Sequence, residues 1–347
     1  MKMFDIKREG IILEKTDLAF ENEGVMNPAV IADGNTVHLL YRAVREGNHS
    51  TIGYCRLDGP LKVVHRDKVP LLYPEFEYES MGVEDPRIVK IDDTYYISYT
   101  AYDSTNALGA LAVSKDLKHF TKKGIITSGF TYSQFEKLIS SNDSFSDKYF
   151  RSYNNRETHT EAGKPICLID KDLVFFPRKI NGKLCFFHRI KPDIQLVCVD
   201  NLKELKYDFW INYFLNFSQH IMFEAKYDHE SSYIGAGCPP IELPEGWLMI
   251  YHTVRDTPSG YLYSASAALL DLDNPNIEIA RLPYPLFSPE MDYELTGVVN
   301  QVVFPTGAAQ FGDTLYIYYG AADKCIACVS LKTRDLVKEI LSYRKTP

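Results

Sequence analysis

The chain has 347 residues, of which 45% are hydrophobic and 13% aromatic, and its formal net charge is −8. A negative charge of this size argues against nucleic acid and anionic membrane surfaces as partners. The chain has no stretch of about 18 apolar residues and no apolar core of a signal peptide near its first residue. We therefore expect a soluble, cytoplasmic protein unless a leader has been removed.

Five similar segments recur along the chain, each a turn followed by an alternating aromatic strand that ends on polar residues. They begin at Gly34, Asp92, Asn181, Glu245 and Gly312. A repeat of this length with a period-2 apolar pattern is typical of β-propeller blades. Since no linker divides the chain, the pattern predicts one all-β domain over residues 1–347. The predicted fold is a five-bladed β-propeller with its active site at the central channel.

The polar residues that end these repeated strands are candidate site residues. Equivalent strand ends meet at one end of the channel in a propeller, so we expect their side chains to converge there. They are Arg42, Asp103, His188, Arg189, His252 and Asp323.

Two segments depart from the repeat. Residues 127–165 are a polar insertion with a short helix expected around 133–140, and they are interpreted as a lid, an interface arm or a surface excursion. An interface arm would allow a homo-oligomer. Residues 333–344 have helical spacing, which predicts a C-terminal helix packed against the outside of the ring.

The seven cysteines lie mostly inside apolar strand patterns and are interpreted as reduced core residues. Cys325 and Cys328 are spaced like half of a metal site. Strand alternation points residues three apart to opposite faces, so we predict no metal there.

The segment GVEDPRI, residues 82–88, places Glu84 and Asp85 directly before a proline and an arginine. Pro86 biases Asp85 towards an extended conformation. Alternation along a strand lets only one of the two carboxylates face the channel, and Arg87 would share the face of Asp85. Arg87 is predicted to bind a ligand or to hold that carboxylate. A salt bridge confined to a turn explains the motif equally well.

A basic cluster lies on a predicted hairpin whose turn is Asn181-Gly182. Cations at equivalent ends of successive blades predict an anion pocket, with phosphate as the simplest ligand. The alternative is that each cation pairs with a local acid. The cluster and its neighbours comprise Arg42, Arg178, Lys179, His188, Arg189 and His252.

Several long motifs, in this order, resemble the inverting mannoside phosphorylases and mannosidases of glycoside hydrolase family 130. They are FENEGVMNPAVI (20–31), GVEDPRI (82–88), KDLVFFPRKINGK (171–183), GAGCPPIELPEGWLMIYH (235–252) and FPTGAAQFGDTLYIYYGAAD (304–323). The resemblance covers nearly the whole chain and implies a five-bladed propeller, in agreement with the repeats.

The resemblance also implies roles for single residues. Asp85 matches the general acid, which is protonated near neutral pH and relays its proton through a hydroxyl of the bound mannose; Glu84 would supply the negative charge that keeps it protonated. Asn27, Arg42 and Asp323 match positions that hold the mannosyl ring. Lys179, Arg189 and His252 match the phosphate ligands. Phosphate would then displace the leaving sugar with inversion, giving α-mannose 1-phosphate from a β-mannoside, with no metal and no resident cofactor.

Two other functions stay open at this point. Hydrolases of the same family activate water with a second carboxylate, and Glu224 or Glu230 is the candidate base here. A non-catalytic carbohydrate-binding propeller would use the aromatic residues alone. The cluster of cations near an EDPR carboxylate favours the phosphorylase over both.

Overall fold

The computed structural model describes residues 4–140, 148–151 and 163–344. The fold is mostly β, with 51% strand and 14% helix. Much of the predicted insertion, residues 141–147 and 152–162, lies outside the described residues.

The described residues form twenty-one strands and five α-helices, joined by turns that include four short 3-10 segments. The strands are β1 (Lys7–Leu13), β2 (Gly24–Asp33), β3 (Thr36–Arg45), β4 (His49–Asp58), β5 (Lys62–Arg66), β6 (Gly82–Ile91), β7 (Thr94–Tyr102), β8 (Ala107–Ser114), β9 (Phe120–Ile125), β10 (Lys171–Phe175), β11 (Leu184–Arg189), β12 (Ile194–Val199), β13 (Ile221–Phe223), β14 (Tyr233–Ala236), β15 (Ile241–Leu243), β16 (Gly246–Thr257), β17 (Gly260–Leu270), β18 (Glu278–Arg281), β19 (Val303–Phe311), β20 (Thr314–Ala321) and β21 (Cys325–Lys332). The helices are α1 (Tyr132–Ile139), α2 (Lys148–Arg151), α3 (Tyr207–Leu215), α4 (Asp292–Leu295) and α5 (Thr333–Ser342).

The strands pair antiparallel in five consecutive groups. The first group is β2–β5, the second β6–β9, the third β10–β13, the fourth β14–β18, and the fifth β19–β21 with β1 added at its edge. The first two groups join into one larger sheet through a single parallel bridge between Ser50 and Gly82. Neighbouring side chains of a strand face opposite sides of the sheet, so that Phe186 and Phe187 of β11 lie in two different core clusters.

The hydrophobic core consists of five clusters, each lying between two groups of strands. One cluster joins the first group to the second, and the next three join each group to its successor. The last cluster joins the first group to the fifth, so that the order of the cores is cyclic. The two predicted helices are confirmed: α1 packs in the cluster between the second and third groups, and α5 in the cluster between the fourth and fifth.

The first strand of several groups contains an irregularity in its pairing. The register shifts at Asn27, Asp85, Asp172 and Thr306 in β2, β6, β10 and β19. The first three have positive φ angles of 48°, 48° and 57°, a region that Asn and Asp tolerate better than other side chains. The expected extended conformation of Asp85 is therefore wrong. A following proline disfavours only the right-handed helical region strongly, and the bulge selects the left-handed one.

A buried glutamate recurs in four of the groups. Its carboxylate accepts a hydrogen bond from a tyrosine of the second strand and pairs with a cation from a distant part of the chain. The sets are Glu21 with Tyr41 and Arg66, Glu79 with Tyr99 and Lys122, Glu230 with Tyr251 and Arg281, and Glu294 with Tyr319 and Arg8. Because buried carboxylates need such partners, each set holds the segment that precedes a group's first strand against the other strands of the same group.

One cysteine interpretation is wrong. Cys185 and Cys198 lie directly opposite each other on β11 and β12, with a Cα–Cα distance of 4.2 Å, and form a disulfide. Directly opposed residues on neighbouring strands bring their Cβ atoms close enough for this bond. Cys325 and Cys328 are both buried free thiols.

No helix in the described parts of the chain has the length and apolar character needed to span a membrane.

The buried glutamates give a stability prediction. Arg8 Nε lies 2.9 Å from Glu294 Oε1, and the Glu294 side chain is fully buried. Arg8→Ala would leave that carboxylate with less compensation and should lower the free energy of unfolding by about 2 to 3 kcal/mol, measured by urea denaturation.

The matched control is Lys7→Ala on the same strand, whose ammonium pairs with Glu9 while 74% exposed. It should change the unfolding midpoint far less, because exposed pairs stabilise little. Equal effects of the two substitutions would contradict a structural role for the Glu294 pair.

Candidate active site

A cavity of about 150 Å³ is lined by residues of all five groups, including the bulged strands. Its lining combines polar residues from the first, second, third and fifth groups with aromatic and aliphatic side chains from the fourth and fifth groups. The lining residues are Asn27, Arg42, Asp85, Lys171, Arg189, Tyr233, Tyr263, Val299, Val302, Phe304 and Asp323. Of the sequence-predicted site residues, the structure brings Asn27, Arg42, Asp85, Arg189 and Asp323 into this cavity.

Asp85 is held by partners from the neighbouring first group. Its Oδ1 accepts a hydrogen bond of 2.7 Å from Asn27 Nδ2 and lies 3.4 Å from Arg42 Nη1. Arg42 also donates through Nη2 to Glu84 Oε1 at 2.7 Å. Arg42 thus bridges the two adjacent carboxylates, and both of them are buried.

The charges around Asp85 shift its pKa in the direction opposite to the sequence-based expectation. Burial raises the pKa of Asp85, but the positive charges of Arg42, Lys171 and Arg87 outweigh burial and hold the pKa below its ordinary value. Burial raises the pKa of Glu84, although Arg42 opposes the shift. These charges favour the ionised form of Asp85, whereas its expected role as general acid requires a protonated carboxyl.

Asp323 completes this side of the cavity. Burial raises its pKa, and the negative charges of Asp85 and Glu84 add to the shift while Arg42 opposes it. Its φ of 51° again lies in the left-handed region. A carboxyl that protonates easily can both donate and accept hydrogen bonds, which suits the hydroxyls of a sugar.

Arg87 has a different role from the predicted one. It is 1% exposed, and its guanidinium donates to the backbone carbonyl of Asp85 at 2.6 Å and to that of Gly237 at 3.0 Å. It therefore connects the second group to the fourth and supports the backbone of Asp85. Arg87 does not line the cavity, and its hydrogen bond to Asp85 goes to the backbone carbonyl and not to the carboxylate. The structure therefore shows neither of the two predicted roles.

Asp172, which sequence reasoning missed, organises the opposite side. Arg189 Nη1 lies 3.0 Å from its Oδ2, and His252 Nε2 lies 3.7 Å from the same oxygen. Burial raises the pKa of Asp172, but the positive charges of Arg189 and Arg87 overcome it and lower the pKa well below its ordinary value. Gly235 makes room for this set, since a Cβ atom there would lie 2.3 Å from the His252 ring and 2.6 Å from Asp172.

His252 is a neutral member of this cluster. Burial, together with the Arg189 and Arg87 charges and against the opposing charge of Asp172, lowers its pKa to about 3. Its Nε2 lies 3.2 Å from Arg189 Nη1, which is a donor, so Nε2 accepts and Nδ1 carries the hydrogen. His252 orients Arg189 and does not line the cavity.

The lysine of the cavity is Lys171, not Lys179. Lys171 immediately precedes the Asp172 bulge and makes no side-chain hydrogen bond within the described residues. Lys179 is exposed in the connection that follows β10, and Arg178 beside it pairs with Glu242. Aligning KDLVFF with EDPRIV and MNPAVI would have indicated both Lys171 and Asp172.

Two more predicted site residues lie outside the cavity. His188 is fully buried between Asp170 and Tyr213, at 2.7 Å from each. Asp103 binds Lys164 and two backbone amides of its own turn. Both side chains are engaged in local structure.

The two candidate bases of a hydrolase are also placed elsewhere. Glu230 belongs to the recurrent buried set, with Tyr251, Arg281 and two backbone amides as partners. Glu224 is 61% exposed on the surface and pairs with Lys148. Neither of them lines the cavity around Asp85.

Lys171, Arg189 and Arg42 thus provide positive charge within one small cavity, and Asp85 lies among them. This donor set suits a sugar bound next to an oxyanion. Within the described residues, no cluster of three or more His, Cys, Asp or Glu has the geometry to hold a metal ion.

The chain was compared with known proteins. The model of glycoside hydrolase family 130, described as β-1,4-mannooligosaccharide phosphorylase, matches residues 13–341. A 1,2-β-oligomannan phosphorylase of Thermoanaerobacter sp. (strain X514) is 32% identical over 97% of this chain and 99% of its own. A β-1,2-mannobiose phosphorylase of the same organism is 34% identical, over 92% and 93% of the two chains.

A solved structure shares the fold. The β-1,2-mannobiose phosphorylase from Listeria innocua, in complex with β-1,2-mannobiose, superposes with a TM-score of 0.71 at 24% identity and covers 97% of this chain and 99% of its own.

The neutral His252 is testable by NMR. With a pKa of about 3, its ring signals should keep the shifts of the neutral Nδ1–H tautomer as the pH falls from 8 to about 4. The signal is assigned by its absence from His252→Gln. A His252 signal that titrates near pH 6.5 would show that the ring is a cation at lower pH and would contradict the assignment.

Proposed function

The chain belongs to glycoside hydrolase family 130, and we propose that its central cavity performs the phosphorolysis of β-mannosides, yielding α-mannose 1-phosphate. The observation that carries this proposal is the placement of Lys171 and Arg189 in one cavity with Asp85, while Glu224 and Glu230 lie elsewhere. Such a cavity can hold an anionic nucleophile. Of the two carboxylates that line it, Asp85 is assigned as the general acid and Asp323 as a ligand of the mannosyl ring, which leaves neither to activate water.

The cyclic order of the cores supports a five-bladed propeller in which each group of strands is one blade. The inner strands β2, β6, β10, β14 and β19 would line the channel, and the bulges at Asn27, Asp85 and Asp172 would turn polar side chains into it. Pairing of β1 with β21 would close the ring within the fifth blade.

In the proposed reaction the mannosyl ring lies against Asn27, Arg42 and Asp323, and phosphate lies against Lys171 and Arg189. A phosphate oxygen attacks the anomeric carbon from the face opposite the leaving sugar. The glycosidic bond breaks, and its oxygen receives the proton of Asp85, directly or through a mannose hydroxyl. One bond forms and one breaks, which inverts the anomeric configuration.

Bound phosphate would also promote the protonation of the general acid, Asp85. The pKa of Asp85 is low because Arg42, Lys171 and Arg87 surround it. A phosphate dianion next to Lys171 offsets part of that charge and raises the pKa of Asp85, so the carboxyl takes up a proton when its nucleophile arrives. No base is required, because phosphate is already a nucleophile, and we propose that the reaction uses phosphate as co-substrate without a metal or a resident cofactor.

We propose β-1,2-linked mannosides as the substrate class, since the two relatives that cover more than nine-tenths of the chain are named for that linkage. A cytoplasmic location and a homo-oligomeric state stay predictions.

The first test is the cleavage of β-1,2-mannobiose with and without inorganic phosphate. Mannose 1-phosphate should form only with phosphate, and Asp85→Asn should lower kcat by about 10² to 10⁴, the usual contribution of a general acid, while leaving ligand binding nearly intact. Free mannose released equally well without phosphate would mean a hydrolase. Binding without turnover by the wild-type protein would mean a carbohydrate-binding module.

A pair of lysine substitutions tests the phosphate site. Lys171→Ala should raise the KM for phosphate by about tenfold to a hundredfold, because a charge-assisted contact to the dianion is lost. The matched control is Lys179→Ala, in the exposed connection after β10, which should leave this KM unchanged. If Lys179→Ala raised this KM and Lys171→Ala left it unchanged, phosphate would bind at Lys179 and not at Lys171.

A further inference from the structure

A second cavity, of about 450 Å³, opens beside the first. The two cavities share Arg42 and Asp323, whereas Lys171 and Arg189 line only the inner one. Arg42 and Asp323 therefore stand between the proposed phosphate side and the outer cavity.

This order matches the geometry of an inverting displacement. The nucleophile and the leaving group lie on opposite faces of the mannosyl ring, so the leaving sugar must be on the side away from Lys171 and Arg189. The outer cavity, which adjoins Arg42 and Asp323 and is not lined by Lys171 or Arg189, offers such a position. We propose that Arg45 and Val298 in its wall determine how tightly the leaving sugar of the β-mannoside is bound. This inference rests on the proposed phosphorolysis.

The segment that carries Val298 and Val299 extends along both cavities. Val299 lines the inner cavity and Val298 the outer one. Val298 is 78% exposed, the highest exposure of any large hydrophobic residue in the described chain. An exposed aliphatic side chain at a cavity mouth is a suitable surface for the C–H face of a sugar ring.

The opposite wall is polar and comes from the turn between β3 and β4. Arg45 and Glu46 line the outer cavity, are exposed, and have no side-chain partner within the described residues. Gly47 and Asn48 have φ angles of 81° and 58°, so the turn is tight and holds Arg45 at the rim. A sugar between Val298 and Arg45 would meet an apolar surface on one side and hydrogen-bond donors on the other.

The test separates the leaving sugar from the rest of the substrate. In the synthetic direction, α-mannose 1-phosphate occupies only the inner cavity, and mannose is the acceptor in the outer one. Arg45→Ala should raise the KM for mannose about tenfold, as expected for one lost hydrogen bond to a charged group. The dissociation constant of α-mannose 1-phosphate alone, measured by calorimetry, should stay unchanged. Val298→Asp should act in the same way through the apolar wall.

Arg56→Ala is the matched control, since Arg56 is exposed on β4 and lies outside both cavities. Wild-type KM values for mannose in both Arg45→Ala and Val298→Asp would overturn the proposal, and so would an equal weakening of α-mannose 1-phosphate binding. If the wild-type protein released free mannose without phosphate, the proposed function would fail. The KM for β-1,2-mannobiose in that hydrolysis, compared between the same variants, would still decide the role of the outer cavity.

Discussion

The polar lining of the cavity depends on breaks in the regular pairing of the inner strands. In a regular strand, neighbouring side chains face opposite sides of the sheet. The bulges at Asn27 and Asp85 insert left-handed residues whose side chains line the cavity, and the bulge at Asp172 places its carboxylate against Arg189. Such conformations cost about 1 to 3 kcal/mol each and persist only where the surrounding structure imposes them. Here the cores on both sides of each group hold the backbone in place, and Asn27 binds Asp85 across the boundary between two groups.

Once the bulges have brought the carboxylates together, burial and the surrounding charges shift the pKa values of Glu84 and Asp85 in opposite directions. Arg42 touches both Glu84 and Asp85, yet the pKa of Glu84 is raised and that of Asp85 is lowered. Lys171 acts on both carboxyls, but Asp85 also feels the charge of Arg87 and accepts a hydrogen bond from Asn27. The negative charge of Asp85 in turn raises the pKa of Glu84. Any anion that binds at Lys171 changes this balance. The charge of the nucleophile and the protonation of the acid are thus linked through the same side chains.

From the sequence we predicted the repeats, both helices and those cavity residues that belong to recognised motifs, such as Asn27, Asp85 and Asp323. The prediction of site residues was wrong in the third group, where it depends on the register between β10 and β11. Lys171 pairs with Arg189 as Met26 pairs with Arg42, so Arg189 faces the cavity and His188 faces the core. Adjacent residues of a strand face opposite sides of the sheet, so an error of one residue in the register exchanges the cavity residue for the core residue. Composition does not reveal the register. Glu230 was a candidate base because the sequence did not show its partners Tyr251 and Arg281, which come from distant positions.

The pairing of β1 with β21 sets the order in which the molecule can be completed during synthesis. β1 leaves the ribosome before every other described strand, and its partner β21 leaves after all of them. Phe4 and Ile340 also share one hydrophobic cluster, so segments far apart in the sequence contribute to the same core. Until β21 has been synthesised, β1 has no strand to pair with, and the first and fifth groups cannot be joined. During all of that time the nascent chain has two open sheet edges, and those edges are where association with other chains would begin.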